Sequence, residues 1–171
     1  MLSYITGKTQ DASVEKSIFE IQTGFLGVWT YNEIKFTNRI SLRSEIGNSS
    51  RLWGGSYFDN KGFLMTPIFT VEPILYYNLE SRNINFKQID HNSGNFLLLK
   101  FSYQPYWLEL SEQDNNPEIN AFSIIPTWSL SRLIGQHLCY EAGWGIGYRR
   151  LFGEDLKDIV TRKMLSTILF L

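Results

Sequence analysis

From Glu33 to Gly47 the chain reads EIKFTNRISLRSEIG, and its residues sort by parity. Ile34, Phe36, Ile40, Leu42 and Ile46 fall on one side, and Lys35, Thr37, Arg39, Ser41, Arg43 and Glu45 on the other. A repeat of two marks a strand, because successive side chains point to opposite faces of a sheet. A helix would scatter both sets around its circumference. Such a strand can turn its oily face to a protein core and its charges to water. It can also turn its oily face to lipid and its charges into a barrel lumen.

The alternation recurs along the chain. Ile18 to Tyr31 reads as a strand with Phe19, Ile21, Phe25 and Trp29 on one face, closed by a tight turn at Tyr31 to Glu33. Phe63 to Leu79 places Met65, Phe69, Val71, Leu75 and Tyr77 together, opposite Thr66, Thr70 and Glu72. Pro67 and Pro73 each remove a ladder donor, which predicts bulges or strand ends. Asn95 to Leu110 aligns Leu97, Leu99, Phe101, Tyr103 and Trp107 against Lys100, Ser102, Gln104 and Tyr106. Ile119 to Ser131, Leu138 to Phe152 and Thr161 to Leu171 complete the series. The intervening stretches, Asn48 to Gly62, Glu80 to Gly94, Ser111 to Glu118, Arg132 to Gln136 and Gly153 to Asp158, read as loops and turns. The nearest approach to a helix is Glu154 to Arg162.

This reading divides the chain into a polar lead, 1–17, and an all-β domain, 18–171. The strands run about 11 to 17 residues, longer than the ~5–6 of globular sheets and long enough to cross hydrocarbon. Seven long strands are legible, whereas single-chain bacterial barrels close with an even number. The expected fold is a single antiparallel up-and-down transmembrane β-barrel of about eight strands. Leu2 to Thr9, Arg51 to Tyr57 or a removed segment are candidates for the eighth strand.

Three features favour the oily face outside. Aromatic residues make up 15% of the chain, and a small barrel's interior only just holds ordinary side chains. Tryptophans and tyrosines lie near strand ends, as interfacial girdles require. Gly143, Gly145 and Gly147 share the polar face with Glu141 and Arg149, which makes room there for long side chains. The expected lipid-facing belt is Phe25, Trp29, Phe36, Phe69, Phe101, Trp107, Trp128, Trp144 and Tyr148. The expected lumen network is Lys35, Arg39, Arg43, Glu45, Glu72, Lys100, Glu141 and Arg149. With Glu20, which shares the polar faces, five cations meet four carboxylates and the signs nearly balance, so the charges are expected to pair as an ionic plug.

Composition narrows the function. A formal net charge of −1 gives no basic field for nucleic acid. Cys139 is the sole cysteine, so an intrachain disulfide or a Cys-based zinc site is not expected. His91 and His137 are the only histidines, which argues against a His-rich metal centre. The start, MLSYITGKTQDAS, lacks a basic segment leading into an apolar core, so a secretory signal is expected to be absent or removed.

The segments GFLGVWTYNEIKFTNRISLRSEIG, GGSYFDNKGF, PILYYNLESR, HNSGNFLLLKFSY, SIIPTW and YEAGWGIGYRR together resemble the small outer-membrane β-barrel proteins of Bacteroidetes-type bacteria. The resemblance covers residues 18–152 and implies a bacterial outer-membrane location. It implies outer-membrane lipid, lipopolysaccharide and the barrel-assembly machinery as partners, and carries no catalytic signature or substrate. Such chains usually end in an aromatic residue, whereas here Phe170 is penultimate and Leu171 last.

Sites for chemistry are sparse. GWGIGY, 143–148, has strand spacing and no βα unit around it, so it is not a dinucleotide fingerprint. His137 with Ser129 or Ser131 is the nearest approach to a nucleophile–base pair, in a turn too short to look catalytic. His91 reads as solvated, Glu72 as structural and Cys139 as a passive small residue. The expectation is therefore a charge-plugged barrel with a structural or surface-interaction role, no turnover, no cofactor and no metal. Interaction falls to Trp53 and Tyr57 in the 48–62 loop. The alternatives are a narrow pore for ions or small solutes, a soluble lipocalin-like carrier, and a lipid-modifying enzyme such as a lipid A hydrolase or acyltransferase.

Overall fold

In the computed structural model of the chain, the residues described are 12–24, 27–53, 62–105, 110–111, 120–135, 138–152 and 160–170. The first hairpin joins β1 (Ser17–Gly24) to β2 (Gly27–Lys35), with Gly24 opposite Gly27. β3 (Ile40–Trp53), β4 (Gly62–Tyr76), β5 (Asn95–Gln104), the short β6 (Leu110–Ser111), β7 (Asn120–Ile134), β8 (Leu138–Phe152) and β9 (Val160–Phe170) follow. Every described pairing is antiparallel, and the strand order is β1-β2-β3-β4-β5-β7-β8-β9, with β6 added to β4. The protein is an all-β, up-and-down barrel with eight long strands among the described residues. β1 and β9 approach within 8 Å between Cα atoms, and among the described residues no ladder joins them.

Of the candidates for the eighth strand, Leu2 to Thr9 lies outside the described residues, and the described part of Arg51 to Tyr57 belongs to β3; the eighth long strand among the described residues is a different one. It arises because 18–31 is not one strand but the hairpin β1–β2. The predicted turn at Tyr31 to Glu33 is the middle of β2. The predicted strand 33–47 is likewise two pieces, the end of β2 and the start of β3, joined by a turn over 36–39. There Phe36 and Thr37 donate backbone N–H groups to Ile40 O at 2.8 and 2.9 Å. β3 continues to Trp53, so Arg51 belongs to it and the predicted 48–62 loop shrinks. β4 runs unbroken through Pro67 and Pro73, but the β4–β5 ladder skips Glu72 and Pro73. Proline has no N–H to offer there. The predicted turn at 132–136 begins only at Gly135, whose φ is +70°.

Inside and outside are chemically opposite. The outer face exposes Phe19, Ile21, Val28, Ile34, Ile46, Trp144, Ile146 and Tyr148, each more than half accessible. The interior holds Arg43, Glu33, Glu45, Glu72 and Glu141, all 6% exposed or less. The inward glycines of β8 let β7 lie close. A methyl on Gly143 or Gly145 would meet Ser129 or Thr127 of the neighbouring strand. The side chains they make room for on β7 are thus the short Ser129 and Thr127.

One end of the barrel is filled. The segment between β4 and β5 contains α1 (Leu79–Ile84), where no helix is predicted, and a 3-10 turn, Asp90–Asn92. It folds back so that Leu79 joins Val14, Ile74, Tyr76, Phe96 and Leu98 in the apolar core. Val14 belongs to the predicted polar lead, and its N–H donates to Asn38 O at 3.0 Å. Ser131 N–H donates to Gly94 O at 2.9 Å, fastening the segment to β7.

Candidate functional site: the buried ionic network of the lumen

Register builds the site. Glu33 of β2 stands opposite Arg43 of β3, and Arg43 opposite Glu72 of β4. Side chains directly opposite on one face are close neighbours, so opposite charges pair across the strands. Lys100 Nζ of β5 lies 2.8 Å from Glu72 Oε1 and 3.7 Å from Glu45 Oε1. Four adjacent strands thus present carboxylate, guanidinium, carboxylate and ammonium in order.

Arg43 is the hub. It donates to Glu33 Oε2 through Nε at 3.2 Å and Nη2 at 3.1 Å, and to Glu141 Oε2 through Nη1 at 3.0 Å. Nη1 is also 3.5 Å from Glu72 Oε2. The guanidinium lies over the rings of Tyr31, 4.5 Å from the centroid, and Phe96, at 5.8 Å. That geometry suits a planar, weakly hydrated cation better than a lysine.

Glu33 is the residue that sequence reading missed. It is 2% exposed. Its Oε1 accepts from Ser41 Oγ at 2.7 Å, Tyr76 OH at 2.9 Å and Asn92 Nδ2 at 2.6 Å. Parity already set it with Lys35 and Arg43, but the predicted turn at 31–33 hid it. Asn92 also accepts the Glu15 N–H through Oδ1 at 2.8 Å. His91 and Asn92 both adopt positive φ, +52° and +53°, so the turn costs backbone strain to aim two side chains at the barrel.

The structure brings Arg43, Glu45, Glu72, Lys100 and Glu141 together with Glu33. Three expected members lie elsewhere. Arg39 sits on the exposed 36–39 turn and pairs with Glu80 at 2.5 Å, because the strand ends before it. Lys35 donates to Ser13 Oγ at 2.6 Å at the barrel end. Arg149 donates to Gln104. The central cluster therefore counts four carboxylates to two cations, not the near balance expected.

Of the expected belt, Phe69, Trp144 and Tyr148 are exposed on the outer face, and Phe101 is half-buried on it. Trp128, also half-buried there, donates Nε1–H to Tyr77 OH at 2.7 Å. Phe36 is 79% exposed but belongs to the 36–39 turn. Trp29 is a correction: it pairs with Gln22 and lies inside, against Gly47. The hairpin inverts parity, so reading straight through residues 25 and 26 put it on the wrong side. Phe25, Trp107, Tyr57 and His137 lie outside the described residues. Trp53 ends β3 rather than occupying a loop.

His91 is not simply solvated. Its Nδ1 is 2.8 Å from Glu20 Oε1, and its N–H donates to Glu15 Oε1 at 2.7 Å. Tyr31 OH donates to the other Glu20 oxygen at 2.5 Å. No helix among the described residues is long and apolar enough to cross a membrane, which says nothing of a barrel. The chain has no match among known family models, curated proteins or solved structures.

Proposed function

We propose that the chain is an integral β-barrel of a bacterial outer membrane, of the small Bacteroidetes type, with a structural or surface-interaction role and no turnover. One observation carries this reading: the wall is inverted relative to a water-soluble barrel. Large apolar side chains cover its outside while ion pairs fill its inside. In water such a belt would be an aggregation surface, whereas in hydrocarbon it is the favoured exterior. A soluble carrier would need the opposite arrangement, with an apolar interior to receive its ligand.

The lumen supports a plug rather than a pore. Arg43 and Glu141 join opposite walls, and the 77–94 segment closes one end over Tyr76 and Phe96. Outer-membrane lipid and lipopolysaccharide would be its surroundings, with loops left for recognition. Reconstitution tests this. The purified chain should insert into lipid vesicles in a protease-resistant form and show no steady conductance in a planar bilayer. A monodisperse, folded protein in detergent-free buffer would reject the reading.

A further inference from the structure

We propose that Glu20, His91 and Cys139 form a binding site for one zinc ion at the seam of the barrel. The three residues come from β1, the 3-10 turn and the start of β8, so no sequence motif announces them. One ligand atom from each lies within 4.8 Å of the other two. Tetrahedral zinc with bonds of ~2.0–2.3 Å needs ligand atoms roughly 3.3–3.8 Å apart, so small side-chain movements close the site.

The chemistry of the set selects the metal. A thiolate, an imidazole and a carboxylate suit zinc, whereas calcium and magnesium prefer all-oxygen shells. Glu15 adds negative charge, since it accepts the His91 N–H. Tyr31 holds the second Glu20 oxygen at 2.5 Å, the kind of outer hydrogen bond that orients a ligating carboxylate. His91 reaches its place through a left-handed backbone that an unconstrained turn would avoid.

The site adjoins a cavity of about 400 Å³ lined by Glu20, Gln22, Tyr31, His91, Cys139 and Glu141. Three protein ligands would leave a fourth zinc position for water from that cavity. Cys139 lies beyond the last described β8–β9 pair, Glu141 with Phe170. β1 is laddered to β2 alone, and among the described residues no ladder joins it to β8 or β9, so the ion would tie β1 to β8 across the seam. On binding, the Cys139 thiol gives its proton to solvent and Sγ bonds the metal. This proposal does not depend on what the outer belt meets.

The test uses the full chain in detergent, stripped with a chelator and titrated with Co²⁺ and then Zn²⁺. One equivalent of Co²⁺ should bind with a thiolate-to-metal charge-transfer band in the near ultraviolet. Zn²⁺ should displace it, and Ca²⁺ should not. Cys139→Ser should abolish the band, and His91→Ala and Glu20→Gln should each weaken Zn²⁺ at least about tenfold. In the wild-type chain, Zn²⁺ should slow maleimide labelling of Cys139 and raise the unfolding temperature. The proposal fails if folded wild type shows no charge-transfer band. It fails equally if Zn²⁺ leaves Cys139 labelling unchanged, or if Cys139→Ser binds Zn²⁺ as tightly as wild type.

Discussion

Arg43 on β3 donates through Nη1 to Glu141 Oε2 on β8 at 3.0 Å, 98 residues away in the chain. The two strands are four steps apart in the sheet order, so the bond crosses the lumen. The same guanidinium holds Glu33 and sits beside Glu72. Arg43→Met removes the cation and leaves these carboxylates buried together. Its expected cost is about 3–5 kcal/mol, the range for breaking a buried ion pair by deleting one partner. Urea unfolding in lipid vesicles measures it. Adding Glu141→Gln to Arg43→Met should recover part of the loss, because one stranded charge then goes.

Asn92 donates to Glu33 Oε1 at 2.6 Å from a left-handed backbone. Asn92→Asp keeps size and shape but sets carboxylate against carboxylate. It should destabilise by about 1–3 kcal/mol at neutral pH. Asn92→Gly loses the hydrogen bond but relaxes the positive φ, so it should cost less. The same unfolding assay decides, and equal costs would show that charge at Glu33 does not matter.

Gly47 faces Trp29 inside the barrel, and a methyl on it would fall within the indole ring. Gly47→Ala should therefore displace Trp29 and cost about 1–3 kcal/mol, the usual penalty of overpacking. Combining it with Trp29→Leu should restore stability. Two additive losses would mean that the residues do not touch.

Ile146 is 56% exposed near the middle of β8. Ile146→Arg should cost about 2–4 kcal/mol for folding into a bilayer, the midplane penalty for a cation on the lipid face. Ile84→Arg, on the exposed α1 outside the sheet, should cost almost nothing.

Most of the wall was legible because alternation is a local property. What the alternation could not reveal was where the strand turns. Partners across a hairpin share a face, so parity survives a turn when they differ by an even number and inverts when they differ by an odd one. Lys35 pairs with Ser41, an even step, so the 33–47 pattern crossed its turn intact. Gly24 pairs with Gly27, an odd step, and Trp29 changed sides. Glu33 carried the right parity but was assigned to a turn. Asn92 and His91 could not be placed at all, because their positions come from a folded-back segment set by tertiary contacts and positive φ.

The orientation of the wall is tested most directly by tryptophan quenching in bilayers with brominated acyl chains. Two variants are needed, one keeping only Trp144 and the other only Trp29, with the remaining tryptophans changed to Phe. Trp144 is 59% exposed on the outer face, and Trp29 lies inside against Gly47. Strong quenching of Trp144 with little quenching of Trp29 is the expected result. Quenching of Trp29 with Trp144 left bright would place the ionic face toward lipid and contradict the proposed membrane barrel.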